Sequence, residues 1–425
     1  MTERDLPDIG YIRPDAKGFA SEVFGRLAVT TANNFPEPQF WPRFAHGKAR
    51  INPFPFEITT NADGTGTKPE LVERLYTDIS NDPEEFDTLG FDISAMIESD
   101  AYRDGFFPVA IVEVVDTNWA DPKVIVPLAN GIEKAASSGR FAVINGETAE
   151  LGHRTGGYGA TNINWNAFGI SICVPEKEIT GDKMMPGQPL VAFREKSIRS
   201  NGLSKARQIL TVARLLEGDM GLKILGRAME MIKDMGGYQS IEVAKIIHVL
   251  AASTVVKDSE LDWHKSFPEI VKQLKIPSTL YGPVMYDAQG GVFGEQKIKM
   301  TGAAHITGGG IPLKGSRMVK DRDLGLSMDA VFPDPEGITS LLELSTKLNE
   351  KWGKTLIDDR TACDNWNRGI GFVVSVENEE EAKKLIDIAA NHNVEAAVAG
   401  EIIDKAEIQF RNHIWRYLPE DAYNI

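Results

Sequence analysis

The sequence predicts an α/β or α+β chain of two domains, with strands and helices mixed through both halves. Three observations carry this. Valine-rich apolar runs such as FFPVAIVEVV at 106–115 and GIGFVVSV at 369–376 alternate with stretches of helical spacing. Two of the strands run directly into glycine-rich turns, NADGTGTK and HITGGG. A cluster of turn formers, EITGDKMMPGQP, interrupts the pattern between the two halves. A chain of 425 residues suits two or three domains of roughly 150 residues each. Asp182 to Pro189 is therefore the expected boundary, dividing the chain into 1–181 and 182–425.

Taken in order, residues 1–50 are rich in Pro, Phe and Trp and read as an irregular arm. Phe56 to Thr60 reads as a short strand before NADGTGTK, and 106–115 as a buried strand. Val124, Leu128, Ile132 and Ala135 recur on one face at helical spacing, ending near Ser137-Ser138-Gly139. The strands FAVIN and NAFGISICV follow. The second half opens with the strand PLVAF. Amphipathic helices are expected at 203–217 and 221–235, and 240–278 reads as mostly helical. A strand at 298–307 enters HITGGG. The end reads as a strand (GIGFVVSV), a helix (EEEAKKLIDIAANHN) and a strand (VEAAVAGEII).

The formal net charge is −15, which argues against nonspecific binding to nucleic acid or to anionic membrane. The two cysteines, Cys173 and Cys363, form no CxxC pair, so a zinc ribbon or disulfide framework is not expected and a reducing cytoplasm fits. The charged opening MTERDLPDIG does not read as a signal peptide, and no apolar run is long enough to span a membrane.

Several segments carry candidate chemistry. In Asp63-Gly64-Thr65-Gly66-Thr67-Lys68, glycines after a strand let backbone N–H groups approach phosphate oxygens, and Lys68 adds a compact positive charge. Asp63 can offer oxygen to magnesium. The spacing is not that of a Walker A loop, and an ordinary turn reads equally well. Asn145-Gly146-Glu147-Thr148-Ala149-Glu150 follows a strand, where carboxylates face either a crevice or solvent. Asp92 and Asp100, with Ser99, fit a helix surface as well as a metal site. Ser200, Asn201 and Gly202 suit phosphate or ribose, or capping of the next helix. His305 precedes Gly308-Gly309-Gly310, where three glycines imply a structural or ligand reason. Asn367, in WNRGIG, lines a pocket or a tight strand entry.

The order DGTGTK, GFDISAM with its following acid, NGETAE, SNGLS, AHITGGG and WNRGIG resembles the phosphoribosylformylglycinamidine cyclo-ligase (aminoimidazole ribonucleotide synthetase) family. There DGVGTK, GIDxxAMxxND, GGETAE, HSNGxS, AHxTGGG and FNxGxG are expected in that order. The resemblance spans about Phe56 to about Ile402, except a divergent or inserted helical segment near 216–280. It implies a four-stranded N-terminal sheet that joins its copy in a homodimer β-barrel, and a C-terminal α/β domain. It also implies ATP and Mg2+, a small nucleotide substrate in the cleft, and ring closure through a phosphorylated amide. By the same resemblance Asp63, Asp100 and Glu147 would hold magnesium, and Lys68, His305 and Asp100 would be catalytic. Asp63, Gly64, Gly66, Thr67, Glu147, Thr148, Ser200, Asn201, Gly308, Gly309, Gly310 and Asn367 would contact nucleotide or substrate.

This chain departs from the family pattern at Ser99 (usually Asn), Arg199 (usually His), Asn145 (usually Gly) and Asn164 (usually Asp). The rival readings are a sister enzyme of the same superfamily acting on another small molecule, and a non-catalytic nucleotide-binding paralogue. Selenophosphate synthetase would need a reactive cysteine near the N-terminus, and the hydrogenase maturation protein one at the C-terminus. Neither stands in this sequence.

Overall fold

The computed structural model describes residues 10–12, 39–43, 46–50, 56–215, 263–319, 322–352 and 356–417. The expected helix at 221–235 and the part of 240–278 before Trp263 lie outside the described residues.

Two sheets organise the described chain. The first has the order β2-β3-β4-β7-β5-β6. Its central part is β4 (Glu57–Gly64), β7 (Ile163–Cys173), β5 (Phe107–Thr117) and β6 (Ala142–Glu150), extended by the hairpin β2 (Gln39–Arg43) and β3 (His46–Arg50). That hairpin corrects the reading of 1–50 as wholly irregular. The burial of β7 alternates residue by residue from Ile163 to Cys173, so one face meets a core and the other is partly open. The covered face packs on helices α2 (Thr88–Arg103) and α3 (Pro122–Gly139) through Ile93, Ile97, Ile111, Val115, Leu128 and Trp165. Helix α3 begins where Asp121 accepts from the Lys123 N–H and ends where Arg140 turns left-handed. On the open face Phe168 keeps 46% of its surface exposed.

The second sheet is mixed, with the order β1-β14-β13-β10-β12-β8-β11-β9. Its ranges are β1 (Gly10–Ile12), β8 (Pro189–Arg194), β9 (Met300–His305), β10 (Gly325–Met328), β11 (Ile370–Val376), β12 (Ala396–Ile403), β13 (Glu407–Phe410) and β14 (His413–Tyr417). Every residue of β11 is buried, which is why GIGFVVSV reads as a continuous apolar run. Two cores sandwich this sheet. Leu190, Ala192, Val373 and Ile402 face one, and Val191, Phe193, Phe372 and Val374 face the other. The second core also contains Tyr102 and Phe107 of the first half, whose rings meet edge-to-face at 5.7 Å. Apolar packing therefore runs from one half into the other and fixes the loops between them.

The NGETAE segment belongs to the strand rather than to a loop after it, because β6 pairs in parallel with β5 through Thr117–Glu150. Helices α7 (Gly310–Val319), α8 (Glu336–Trp352) and α9 (Asp359–Asn365) were not anticipated individually. Among the described residues no helix is long and apolar enough to cross a membrane.

Candidate active site

The motif loops meet where the two sheets come together. Strand β4 ends in the DGTGTK turn, tied to its neighbour by Thr65 N–H donating to Trp165 O at 2.9 Å. Gly66 has φ +58°, and a Cβ there would stand 2.5 Å from Ser200 O. Only glycine allows this turn to lie against the SNG loop. The SNG loop in turn touches the triple-glycine turn, since a Cβ on Gly308 would lie 3.1 Å from Asn201 Cβ. Gly310, at φ +58°, starts helix α7 with no room for a side chain, because a Cβ would come within 1.9 Å of Cys363 O. Asn201 Nδ2 reaches Met96 Sδ at 3.6 Å. Met96 lies one turn from Asp92 and one turn from Asp100 on α2, so these three share a helix face.

Asp100 and His305 form a dyad. His305 Nδ1 lies 2.8 Å from Asp100 Oδ1, and Arg103 Nη1 approaches the same carboxylate oxygen at 3.4 Å. The carboxylate accepts from Nδ1–H, which leaves Nε2 as the bare nitrogen. His305 is 1% exposed and its Nε2 has no protein partner. Burial, and then the charge of Arg199, lower its pKa to about 3. The ring is neutral at pH 7, so Nε2 is a proton or hydrogen-bond acceptor held ready. The buried Ser200 Oγ also has no protein partner.

The structure gives other sequence-selected residues different roles. Lys68 is fully buried, and Nζ donates to Asp92 Oδ1 (2.7 Å), Ile276 O (2.9 Å) and Ile198 O (3.4 Å). Its three protons are all engaged by protein. Lys68 therefore anchors the DGTGTK turn to α2 and to the second half, with its protons directed at protein acceptors rather than at the phosphate that the resemblance implies. Asn367 is also used at both ends, donating to Ser197 O at 2.8 Å and accepting from Gly369 N–H at 3.0 Å. It ties the SNG loop to the start of β11. Thr67 begins α1 (Lys68–Leu75) without a side-chain cap. Glu147 and Thr148 lie exposed on β6.

Arg199 is likewise internal. It is 1% exposed and donates to Glu195 Oε2 (2.7 Å), Thr279 O (3.1 Å), Ala95 O (3.0 Å) and Ser99 Oγ (3.2 Å), over the ring of Tyr281. It braces α2 against the second half, and its charge helps keep His305 neutral. Ser99 accepts from that brace. The Glu195 carboxylate compensates the buried guanidinium. Glu98 lies beside this network, accepting from Gly282 N–H at 2.9 Å, and burial pushes its pKa up to about 7.

Asp63, Asp100 and Glu147 do not fit one resident magnesium site. Asp63 pairs in register with Ala167, Ala167 with Glu113, and Glu113 with Gly146, so that row shares a face. Glu147 comes one residue later and points to the other face. Asp100 is already engaged by His305 and Arg103. Among the described residues, the one group of three possible ligands close enough to share an ion is Asp359, Cys363 and His413. A guanidinium fills that group, with Arg368 donating to Asp359 Oδ1 at 2.8 Å and to Cys363 Sγ at 3.3 Å, and burial pushes the thiol up to about 12.

Two site residues escaped the sequence reading. Glu113 accepts from Trp165 Nε1 at 2.8 Å, and burial, with Glu147 nearby, raises its pKa. Its signal was an acid at the buried phase of an otherwise apolar strand. Lys314 stands one helical turn after Gly310, half-buried. Burial, and then the charge of Arg317, lower its pKa to about 8, while Asp100 and Asp63 oppose the shift.

Residues 247–411 match the family described as AIR synthase related protein, C-terminal domain. The chain is 25% identical over 354 residues to a phosphoribosylformylglycinamidine cyclo-ligase of Bacillus cereus strain Q1, covering 83% of this chain and 82% of the relative. It is 25% identical over 346 residues to the protein of that name from Carboxydothermus hydrogenoformans, covering 81% and 80%. Its structure is similar, at TM-score 0.49 and 10% identity, to thiamine-monophosphate kinase from Stenotrophomonas maltophilia K279a, over 91% of this chain and 95% of that one. Over most of its length the chain is thus similar to curated phosphoribosylformylglycinamidine cyclo-ligases, and its C-terminal part matches the AIR synthase related family model.

Proposed function

We propose that the chain closes the ring of formylglycinamidine ribonucleotide to give aminoimidazole ribonucleotide, with ATP converted to ADP and phosphate. The observation that carries this is the Asp100–His305 dyad, whose bare, buried Nε2 belongs to the end of the strand that leads into the triple-glycine turn. The similarity to curated cyclo-ligases over most of the chain supports the same reading.

An amide oxygen is a poor leaving group. In the proposed reaction it attacks the terminal phosphorus of ATP, and the bond from that phosphorus to ADP breaks. A neighbouring amidine nitrogen then attacks the former amide carbon. Phosphate departs with the oxygen, and the nitrogen loses a proton as the ring closes. Phosphoryl transfer depends on positioning and charge neutralisation, which the close-packed turns supply through backbone N–H groups. His305 Nε2, neutral at working pH, accepts the proton or orients the amide, and Asp100 fixes its tautomer. Magnesium enters on this reading as the counter-ion of the nucleotide.

The wider assignment belongs to the same proposal: a cytoplasmic enzyme, with domains at 1–181 and 182–425, acting as a homodimer through the open face of the first sheet. Phe168 and Ile144 on that sheet are 46% and 58% exposed, which a partner copy would cover. A second reading, a sister enzyme acting on another small amide, is favoured by one observation. Arg199, where the resemblance leads one to expect histidine, is locked to Glu195 and gives the site no second imidazole. Substrate labelled with 18O in its formyl oxygen decides between them. The proposal predicts the label in inorganic phosphate. Turnover that leaves the label outside the phosphate contradicts the phosphorylated amide, and turnover only with a different amide selects the second reading.

A further inference from the structure

The positive charges that the sequence offers this site are mostly spoken for. Lys68 gives its three protons to Asp92, Ile198 and Ile276. Arg199 directs both Nη groups at Glu195, Thr279, Ala95 and Ser99. Arg103 pairs with Asp104 at 3.0 Å and reaches Asp100 at 3.4 Å. Lys314 differs, because its ammonium makes no hydrogen bond or ion pair among the described residues. It is nonetheless half-buried, within electrostatic reach of Asp63 and Asp100 but bonded to neither.

A half-buried lysine without a protein acceptor has all three ammonium protons available to a ligand. Its position is also informative. Lys314 follows Gly310 by one turn of α7, and the triple-glycine turn ahead of it abuts Asn201. The groups around it are Asp63 at the end of β4, Asp100 and Arg103 on α2, and Arg317 on its own helix. Asp100 is the partner of His305. On the SNG loop that the triple-glycine turn abuts, Ser200 Oγ is a buried hydroxyl that also lacks a protein partner. Two donors without protein partners, the Lys314 ammonium and the Ser200 hydroxyl, on segments that touch one another describe a site for an anionic, oxygen-rich ligand.

We propose that Lys314 is the cation that binds a phosphate group in this site, the part that the resemblance had assigned to Lys68. The inference rests on the nucleotide-dependent reading given above. The phosphate could belong to the nucleotide or to the ribose 5-phosphate end of the substrate, and the two sources are separable. Binding of ATP with magnesium, and of ribose 5-phosphate alone, is measured by calorimetry for the full chain and for Lys314→Met and Lys314→Arg. Circular dichroism checks that each variant is folded.

The expected result is at least a tenfold loss of affinity for one of the two probes in Lys314→Met. Lys314→Arg, which keeps the charge, should recover most of it. Loss toward ATP places Lys314 on the nucleotide, and loss toward ribose 5-phosphate places it on the substrate. If Lys314→Met binds both probes within twofold of the parent, the proposal is overturned while the cyclo-ligase reading stands. If Lys314→Met does not fold, the same judgement falls on Lys314→Arg against Lys314→Gln. A parent chain that binds no ATP overturns the underlying reading, and this proposal with it.

Discussion

Replacing Lys68 with methionine separates an anchor from a catalytic cation. The change removes an ammonium that is 0% exposed and bonded to Asp92 Oδ1 at 2.7 Å, while leaving the carboxylate in place. Asp92 would keep Ser278 as donor, through N–H at 3.0 Å and Oγ at 2.6 Å. Its other oxygen already lacks a partner, and burial pushes its pKa up even with the lysine present. Breaking a buried pair from one side costs about 3–5 kcal/mol, because the remaining charge is stranded. At about 2.1 cal/mol/K per residue, unfolding a chain of 425 residues carries an entropy near 0.9 kcal/mol/K. The melting temperature should therefore fall by about 3–6 °C if the chain unfolds as one unit. Adding Asp92→Asn removes the stranded charge and keeps an acceptor for Ser278. The double variant should regain about 1–2 kcal/mol, a coupling typical of residues in contact. Urea and thermal unfolding give these values, and ATP affinity measured well below the transition should change by less than threefold. A Lys68→Met protein that melts within about 1 °C of the parent but loses most of its ATP affinity would refute the anchor and restore the phosphate role.

Three further outcomes follow from the geometry. His305→Gln should lower turnover by about 10²–10⁴-fold, the usual worth of a positioned acid–base group, with ATP affinity preserved; steady-state kinetics and nucleotide binding measured side by side check this. Glu73 is 2% exposed, accepts from Tyr158 N–H and Ile163 N–H at 2.8 Å each, and burial raises its pKa from 4.5 to about 7. Because the folded value is raised, its contribution is fully present below about pH 4.5 and fades as pH rises through about 7, an effect of up to about 3 kcal/mol. Denaturant midpoints from pH 5 to 8 should show that decline, and Glu73→Gln should flatten it. Gly66→Ala meets both a left-handed φ and Ser200 O at 2.5 Å, so it should weaken ATP binding about tenfold or more while costing about 1–3 kcal/mol; an unchanged affinity would show that the turn does not form part of the site.

The pattern of strands and of the longer helices was legible because it depends on local periodicity. The continuous burial of β11 appears plainly in its apolar run, whereas the β7 alternation is masked by Phe168, Ile170 and Ile172 on the more open face. Short elements such as β13, β14 and α9 gave no such signal, since four to seven residues cannot complete a recognisable period. The structure brings three of the turns that the motifs single out, around Gly66, Ser200 and Gly308, into contact. What a motif does not reveal is the direction and company of a side chain. Lys68 reads as a phosphate lysine until Asp92, Ile198 and Ile276 are seen to surround it. Glu147 reads as a metal ligand until the register shows that Glu113 occupies the face it would need. Lys314 carries no signal in the sequence, because one lysine in a helix makes no pattern and the acids that act on it are distant in the chain.

The most direct test combines the purified full chain with formylglycinamidine ribonucleotide, ATP and magnesium, and follows ADP and aminoimidazole ribonucleotide together. The account predicts both products in equal amounts, with ADP formation dependent on the ribonucleotide and nearly abolished in His305→Gln. ATP bound without aminoimidazole ribonucleotide appearing, or ADP released at the same rate without the ribonucleotide, would contradict it.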